Sequence, residues 1–203
     1  MEENKPFTAN DSLAVIQQMI NTARREQQDS GKGWIIWGWL LFTASISSFI
    51  NMYTGTFSQY FFWNLFGLLT LAMLVYSVAI ALLGKSKERI KTYTGELYRR
   101  LNIGFFITLM LIIVSINTGV TPTKGFALLM ALYGFWALIY GATSNFRPSI
   151  YGSYFTWACA LAAMFVHDFR WTMLLHGIAV LGGYIIPGHT ANYQYRKTRK
   201  TNV

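Results

Sequence analysis

Lysine and arginine mark alternate sides of six apolar stretches, and this alternation limits the possible folds more than any other feature of the chain. The stretches cover roughly residues 33–53, 60–83, 101–119, 125–144, 150–166 and 172–187. Lys5, Arg24, Arg25 and Lys32 precede the first, and Lys85, Lys87, Arg89, Lys91, Arg99 and Arg100 lie between the second and third. Arg147 separates the fourth from the fifth, and Arg196, Lys197, Arg199 and Lys200 follow the sixth. Fifteen of the seventeen basic residues therefore fall on one side, against Lys124 and Arg170 on the other. Loops rich in Lys and Arg resist transfer across a bilayer, so the basic side reads as cytoplasmic. The expected fold is all-α: a six-helix transmembrane bundle with N and C termini cytoplasmic. A five-span count would strand the four basic residues of the tail on the wrong face.

Composition points the same way. Charged residues make up 12% of the chain, about half the share usual in soluble domains. Seven tryptophans fit rings placed at the lipid headgroup level. Each of the first four stretches approaches the ~20 residues needed to cross a hydrocarbon core of about 30 Å, and the last two are shorter. The net charge of +9 raises nucleic acid as a partner. Its placement beside apolar spans instead suits anionic lipid on the cytoplasmic face, and no nucleic-acid-binding module is present. The single cysteine, Cys159, lies in the fifth stretch and has no partner for an intrachain disulfide. The polar first 32 residues contain no cleavable signal pattern, so the first span is expected to act as an uncleaved anchor.

The chain divides into a cytoplasmic or interfacial segment (1–32), a six-span domain (33–187) and a basic cytoplasmic tail (188–203). In SLAVIQQMINTARREQ, residues Leu13, Ile16, Met19, Ile20 and Ala23 recur at helical spacing, which predicts an amphipathic helix lying on the inner leaflet. Small residues repeat along one stripe of three spans: Ala127, Ala131, Gly134 and Gly141; Gly152, Thr156 and Ala160; Ala179 and Gly183. In lipid such stripes let helix backbones approach closely, so these are expected packing faces.

No Asp, Glu, Lys or Arg lies within the six stretches, which argues against ion- or proton-coupled transport. The remaining polar residues collect toward the side poor in basic residues: Asn64, Asn117, His167, Asp168, Arg170 and His176, a possible ligand site. His167, Asp168 and His176 have the right chemistry for zinc but not the spacing of a compact metal motif, so neither a metal nor another cofactor is expected. HExxH, GxSxG and glycine-rich phosphate loops are absent, and no catalytic residue is assigned.

The amphipathic SLAVIQQMINTAR followed by the tryptophan-rich GWIIWGWLL resembles a pattern found in small uncharacterised bacterial multi-pass membrane proteins. That resemblance implies a setting in the bacterial inner membrane and no mechanism. The expectation for function is a non-catalytic accessory, sensory or scaffolding component. It would present a basic cytoplasmic surface (Lys85, Lys87, Arg89, Lys91, Arg99, Arg100, Arg196, Lys197, Arg199 and Lys200) to anionic lipid or a protein partner. The alternative is an uncoupled carrier for a small neutral or apolar molecule, passing by Asn64, Asn117 and His176, and a third reading is a metal-assisted membrane enzyme at His167, Asp168 and His176.

Overall fold

The computed structural model of the chain describes residues 30–83 and 93–201, and every regular element among them is helical. The elements are α1 (Lys32–Thr54), α2 (Phe61–Leu83), α3 (Tyr93–Thr118), α4 (Pro122–Thr143), α5 (Arg147–Phe165) and α6 (Phe169–Val180). From α6 the helix passes through one π-helical turn (Leu181–Ile185) directly into α7 (Ile186–Thr201). Among the described residues four helical segments are long and apolar enough to cross a membrane: Lys32–Thr54, Glu96–Thr118, Pro122–Thr143 and Phe169–Thr198. The protein is membrane-embedded. The expected amphipathic helix before residue 30 and the basic residues Lys85, Lys87, Arg89 and Lys91 lie outside the described residues, as do the side chains of Arg199 and Lys200.

Helix boundaries follow local chemistry. Gly55 ends α1 with φ +65°, a left-handed conformation that costs glycine little, and its N–H donates to Asn51 O. Proline stands in the first turn of both α4 and α5, where its missing N–H is no loss. Asp168 caps α6, its Oδ1 accepting from the Arg170 N–H at 2.9 Å.

Two helices run longer than the apolar stretches on which they are built. α3 begins at Tyr93, well before residue 101, and the last helix continues to Thr201, through the segment expected as a tail. A helix does not stop where its apolar residues stop, because Gln, Arg and Lys propagate it well in water. α5 is 19 residues long and carries Ser149, Gly152, Ser153 and Thr156 inside it, which explains its modest hydropathy.

The interior is a compact group formed by α1, α4, α5 and the α6–α7 helix. Among the described residues, α2 packs its backbone only against α1, and α3 only against α4. The stripes of small residues are where helices meet. A methyl group added at Gly152 would lie 2.8 Å from Gly182 O and 3.1 Å from Gly183 Cα, so the two backbones touch there. The widened turn beside Gly182 and Gly183 ends with the Ile186 N–H donating to Leu181 O, immediately before Pro187, which has no N–H to give. Between α4 and α5, Ser149 Oγ donates to Ala137 O at 2.8 Å and the Trp157 indole to Ala131 O at 2.9 Å.

The two ends of the bundle differ. At one end the connections 55–60, 119–121 and 166–168 come together, with Tyr60 against Phe169, the Arg170 guanidinium 5.2 Å from the Tyr53 ring centre, and the Lys124 ammonium donating to Met164 O. At the other end Asn192 Nδ2 donates to Ser30 O at 2.8 Å, Tyr98 and Thr143 share a hydroxyl hydrogen bond of 2.8 Å, and Trp34 packs on Tyr140. Lys32, Arg99, Arg100, Arg147, Arg196 and Lys197 belong to this second end.

Candidate functional site: a buried serine–histidine seam

Along α1, Gly38, Leu41, Ser45 and Ser48 repeat every three or four residues, so they line one face. All four are buried, and Ser45 and Ser48 have no exposed surface. α6 sets Thr172, His176 and Gly177 opposite them, equally enclosed. Glycines on both sides allow the close approach: a Cβ at Gly38 would meet Ile185 Cγ1 at 2.8 Å, and one at Gly177 on α6 would meet Ile46 Cδ1 at 3.0 Å.

His176 Nδ1 lies 2.7 Å from Ser45 Oγ, an interhelical hydrogen bond in the centre of the bundle. Ser45 Oγ also donates to Leu41 O at 2.7 Å, which uses its one proton. By proton count Nδ1 therefore carries the hydrogen and Nε2 is left with a lone pair. That Nε2 and the hydroxyl of Ser48 are the two buried side-chain polar atoms without a hydrogen-bond partner among the described residues. Three aromatic rings surround the imidazole nearly edge to face: Trp63 at 5.2 Å, Phe126 at 5.8 Å and Tyr133 at 5.8 Å between centroids. The Trp63 indole reaches across from α2 to donate to Met173 Sδ at 3.1 Å, fixing that wall.

A serine hydroxyl against an imidazole is half of a nucleophile–base pair, but three features oppose that use here. The hydroxyl proton is committed to Leu41, no group among the described residues hydrogen-bonds the far nitrogen of the imidazole, and the aromatic rings occupy the space a reacting carbonyl would need. The arrangement instead fixes α1 against α6 in rotation and register. Interhelical hydrogen bonds in membranes contribute about 0.6 kcal/mol on average, so its larger effect is on specificity of packing.

The six polar residues singled out from sequence do not form one site. His176 sits in the core seam. Asn64 is exposed on α2, and Asn117 is exposed on α3, where its Nδ2 returns to Ile113 O at 2.8 Å. His167 is exposed in the turn before α6. Asp168 and Arg170 do meet, with Oδ2 accepting from the guanidinium at 2.6 and 2.8 Å. This holds the Asp168 carboxyl below the usual carboxylate range, the Arg170 hydrogen bond being the largest cause. The pair borders a shallow depression of about 330 Å³ together with Asn51 and Gln59. Asn51 is the organising residue of that end: its Nδ2 donates to Phe57 O and Ser58 O, and its Oδ1 accepts from the Phe57 N–H at 2.9 Å. Among the described residues no group of three His, Cys, Asp or Glu side chains converges as a metal site would require.

Ser45 and Ser48 are the residues of the seam that sequence reasoning missed. Their spacing with Gly38 and Leu41 was the available signal. On the basic end, Arg99 and Arg100 flank Glu96 at 3.9 and 2.8 Å, while Arg196 and Lys197 are exposed on α7.

Comparison of the chain with protein-family models, with curated proteins and with solved structures gives no match.

Proposed function

We propose that the protein is a non-catalytic, six-span integral membrane protein with both termini cytoplasmic, serving as an accessory or scaffolding component of a bacterial inner membrane. The observation that carries this reading is the gathering of basic residues at one end. Lys32, Arg99, Arg100, Arg147, Arg196 and Lys197 gather where α1 and α3 begin, α4 turns into α5, and α7 runs on as helix beyond the apolar segment. The helix joined to the bundle by the Asn192–Ser30 hydrogen bond carries Arg196 and Lys197 exposed, where a partner can reach them. The alternation of basic residues favours placing that end in the cytoplasm. The bacterial setting rests on the resemblance of the N-terminal pattern.

A carrier would need its polar residues around a passage. Asn64, Asn117 and His176 are instead dispersed between two outward faces and a packed core, which favours the scaffolding reading over transport.

Two experiments test this. In a Cys159→Ser background, Gln59→Cys should react with an impermeant maleimide on intact cells and Gln194→Cys only after permeabilisation; the opposite pattern overturns the topology. Purification in native lipid discs should recover a stoichiometric protein partner that is lost on joint reversal of Arg99, Arg100, Arg196 and Lys197 to Glu. A protein recovered alone, or a partner indifferent to the reversal, overturns the scaffolding role.

A further inference from the structure

Between α3 and α4, on the lipid-facing side, lies a cleft of about 260 Å³ that no part of the described chain fills. Its floor is apolar by construction. Gly104 removes bulk from α3, and Thr108, one turn on, turns its hydroxyl back to Gly104 O at 2.9 Å, so its polar atom is satisfied within the helix. Phe105 and Trp136, with ring centroids 5.1 Å apart, form one wall, and Ile139 continues it toward the basic end. The mouth is different in kind. Arg100 lines it, and Arg99 and Arg100 both lean on the single carboxylate of Glu96.

Two guanidiniums against one carboxylate leave a net positive charge at the rim. The three side chains are well exposed, 74% for each arginine and 46% for Glu96, so the ion pairs are weak and open to exchange. Guanidinium is the side-chain group best shaped to bind a phosphate with two parallel hydrogen bonds. Trp136 and Tyr98 pack edge to face near the same level, as aromatic residues do beside lipid headgroups. An apolar cleft within the bilayer, opening at a cationic rim at headgroup height, matches a ligand that is a hydrocarbon chain below and a phosphate above.

We propose that this cleft is a binding site for one anionic phospholipid. An acyl chain lies over Gly104 and Thr108, and the phosphate is held by Arg100 with support from Arg99. The proposal rests on the membrane orientation given above only for the identity of the leaflet, which would be the cytoplasmic one. Basic pockets between membrane helices on that side are suited to anionic headgroups.

Gly104 gives a direct test, because a side chain there would meet nothing within 4 Å of its Cβ and leucine is the better helix former. Gly104→Leu should fold as the parent does and fill the cleft with its own side chain. Wild-type protein, exchanged in detergent against phosphatidylglycerol or phosphatidylcholine, should retain one phosphatidylglycerol by native mass spectrometry and no defined phosphatidylcholine. Gly104→Leu should abolish that retention with an unchanged melting temperature. Arg100→Gln should weaken it about fivefold, the effect of one basic residue near an anionic headgroup. Equal retention of both lipids, or full retention of phosphatidylglycerol by Gly104→Leu, overturns the site. Because the readout is taken in detergent, it is independent of which face is cytoplasmic, and a failed labelling experiment leaves it intact.

Discussion

The seam between α1 and α6 and the outward faces of α2 and α3 are both built from apolar-rich helices, yet their chemistry is opposite. In the seam the side chains with no exposure include Ser45, Ser48, Thr172, Met173 and His176. On α2 and α3 the exposed residues are large and apolar: Leu68 at 64%, Tyr76 at 68%, Met110 at 63% and Leu111 at 62%. A soluble protein sorts these classes the other way. Lipid tails are as apolar as leucine, so large side chains gain little by leaving the surface. What draws helices together is close backbone approach and polar atoms that need each other. Small and polar residues therefore mark the inside of this bundle, and bulk marks its outside.

The largest test of that contrast uses two helical glycines in opposite surroundings, Gly152 buried and Gly67 exposed. Gly152 faces backbone atoms of Gly182 and Gly183, which cannot rotate aside, whereas a Cβ at Gly67 on α2 would meet nothing within 4 Å. Gly152→Leu should cost about 3 kcal/mol, at the upper end of overpacking effects. Gly67→Leu should leave stability unchanged or raise it by up to about 1 kcal/mol through helix propensity. Thermal unfolding in micelles measures both. A similar loss at the two sites would show that α2 is packed in a way its exposure does not reveal.

A smaller effect separates the polarity of the seam from its volume. His176→Ala removes the imidazole that Trp63, Phe126 and Tyr133 enclose and should cost about 3 kcal/mol, as large-to-small changes in a packed core do. His176→Leu fills most of that space and removes the unpartnered Nε2, while Ser45 keeps its bond to Leu41 O. Its cost should stay below about 1.5 kcal/mol, the range of volume-conserving changes plus one interhelical hydrogen bond. If leucine is as damaging as alanine, the hydrogen bond to Ser45 contributes more than packing does.

Much of this architecture is legible in the sequence. The starts and ends of α1, α4 and α5 fall within a few residues of the apolar stretches, because a change from apolar to polar sequence coincides there with Gly55, Pro122 or Pro148. The stripes through Gly134, Gly152 and Gly183 mark real contacts, because only small residues permit them. The early start of α3 and the extension of α7 to Thr201 are not legible from hydropathy, since polar residues continue a helix as readily as they leave one. The seam was readable in part. Ser45 and Ser48 sit at the spacing of Gly38 and Leu41, but a serine in an apolar span carries no sign of whether it meets a histidine 131 positions away. Asn64 and Asn117 look like neighbours of His176 by depth alone. Helix rotation, which depth does not encode, turns both outward.

The smallest predicted effect lies at the end where the short connections meet, outside both regions compared. Asp168 caps α6 through Oδ1 and holds Arg170 through Oδ2, and Arg170 lies over the Tyr53 ring on α1. The arginine lowers the folded-state carboxyl affinity for protons, so below the ordinary carboxylate value the unfolded chain binds protons that the folded chain does not. The stabilisation is therefore complete above that value, flat from about pH 5 to 8, and lost as pH falls below about 4 through the lowered folded value. Asp168→Asn keeps a capping oxygen but cannot titrate. Melting temperatures of the two proteins should differ by a constant small amount at neutral pH and converge in acid, with the gap narrowed by salt because the pair is exposed. Failure to converge would mean that the charge of Asp168, in its cap and in its pair with Arg170 alike, adds nothing to folding. The tie from Arg170 to α1 would then rest on the Tyr53 ring, and the short connections would be joined by packing rather than by charge.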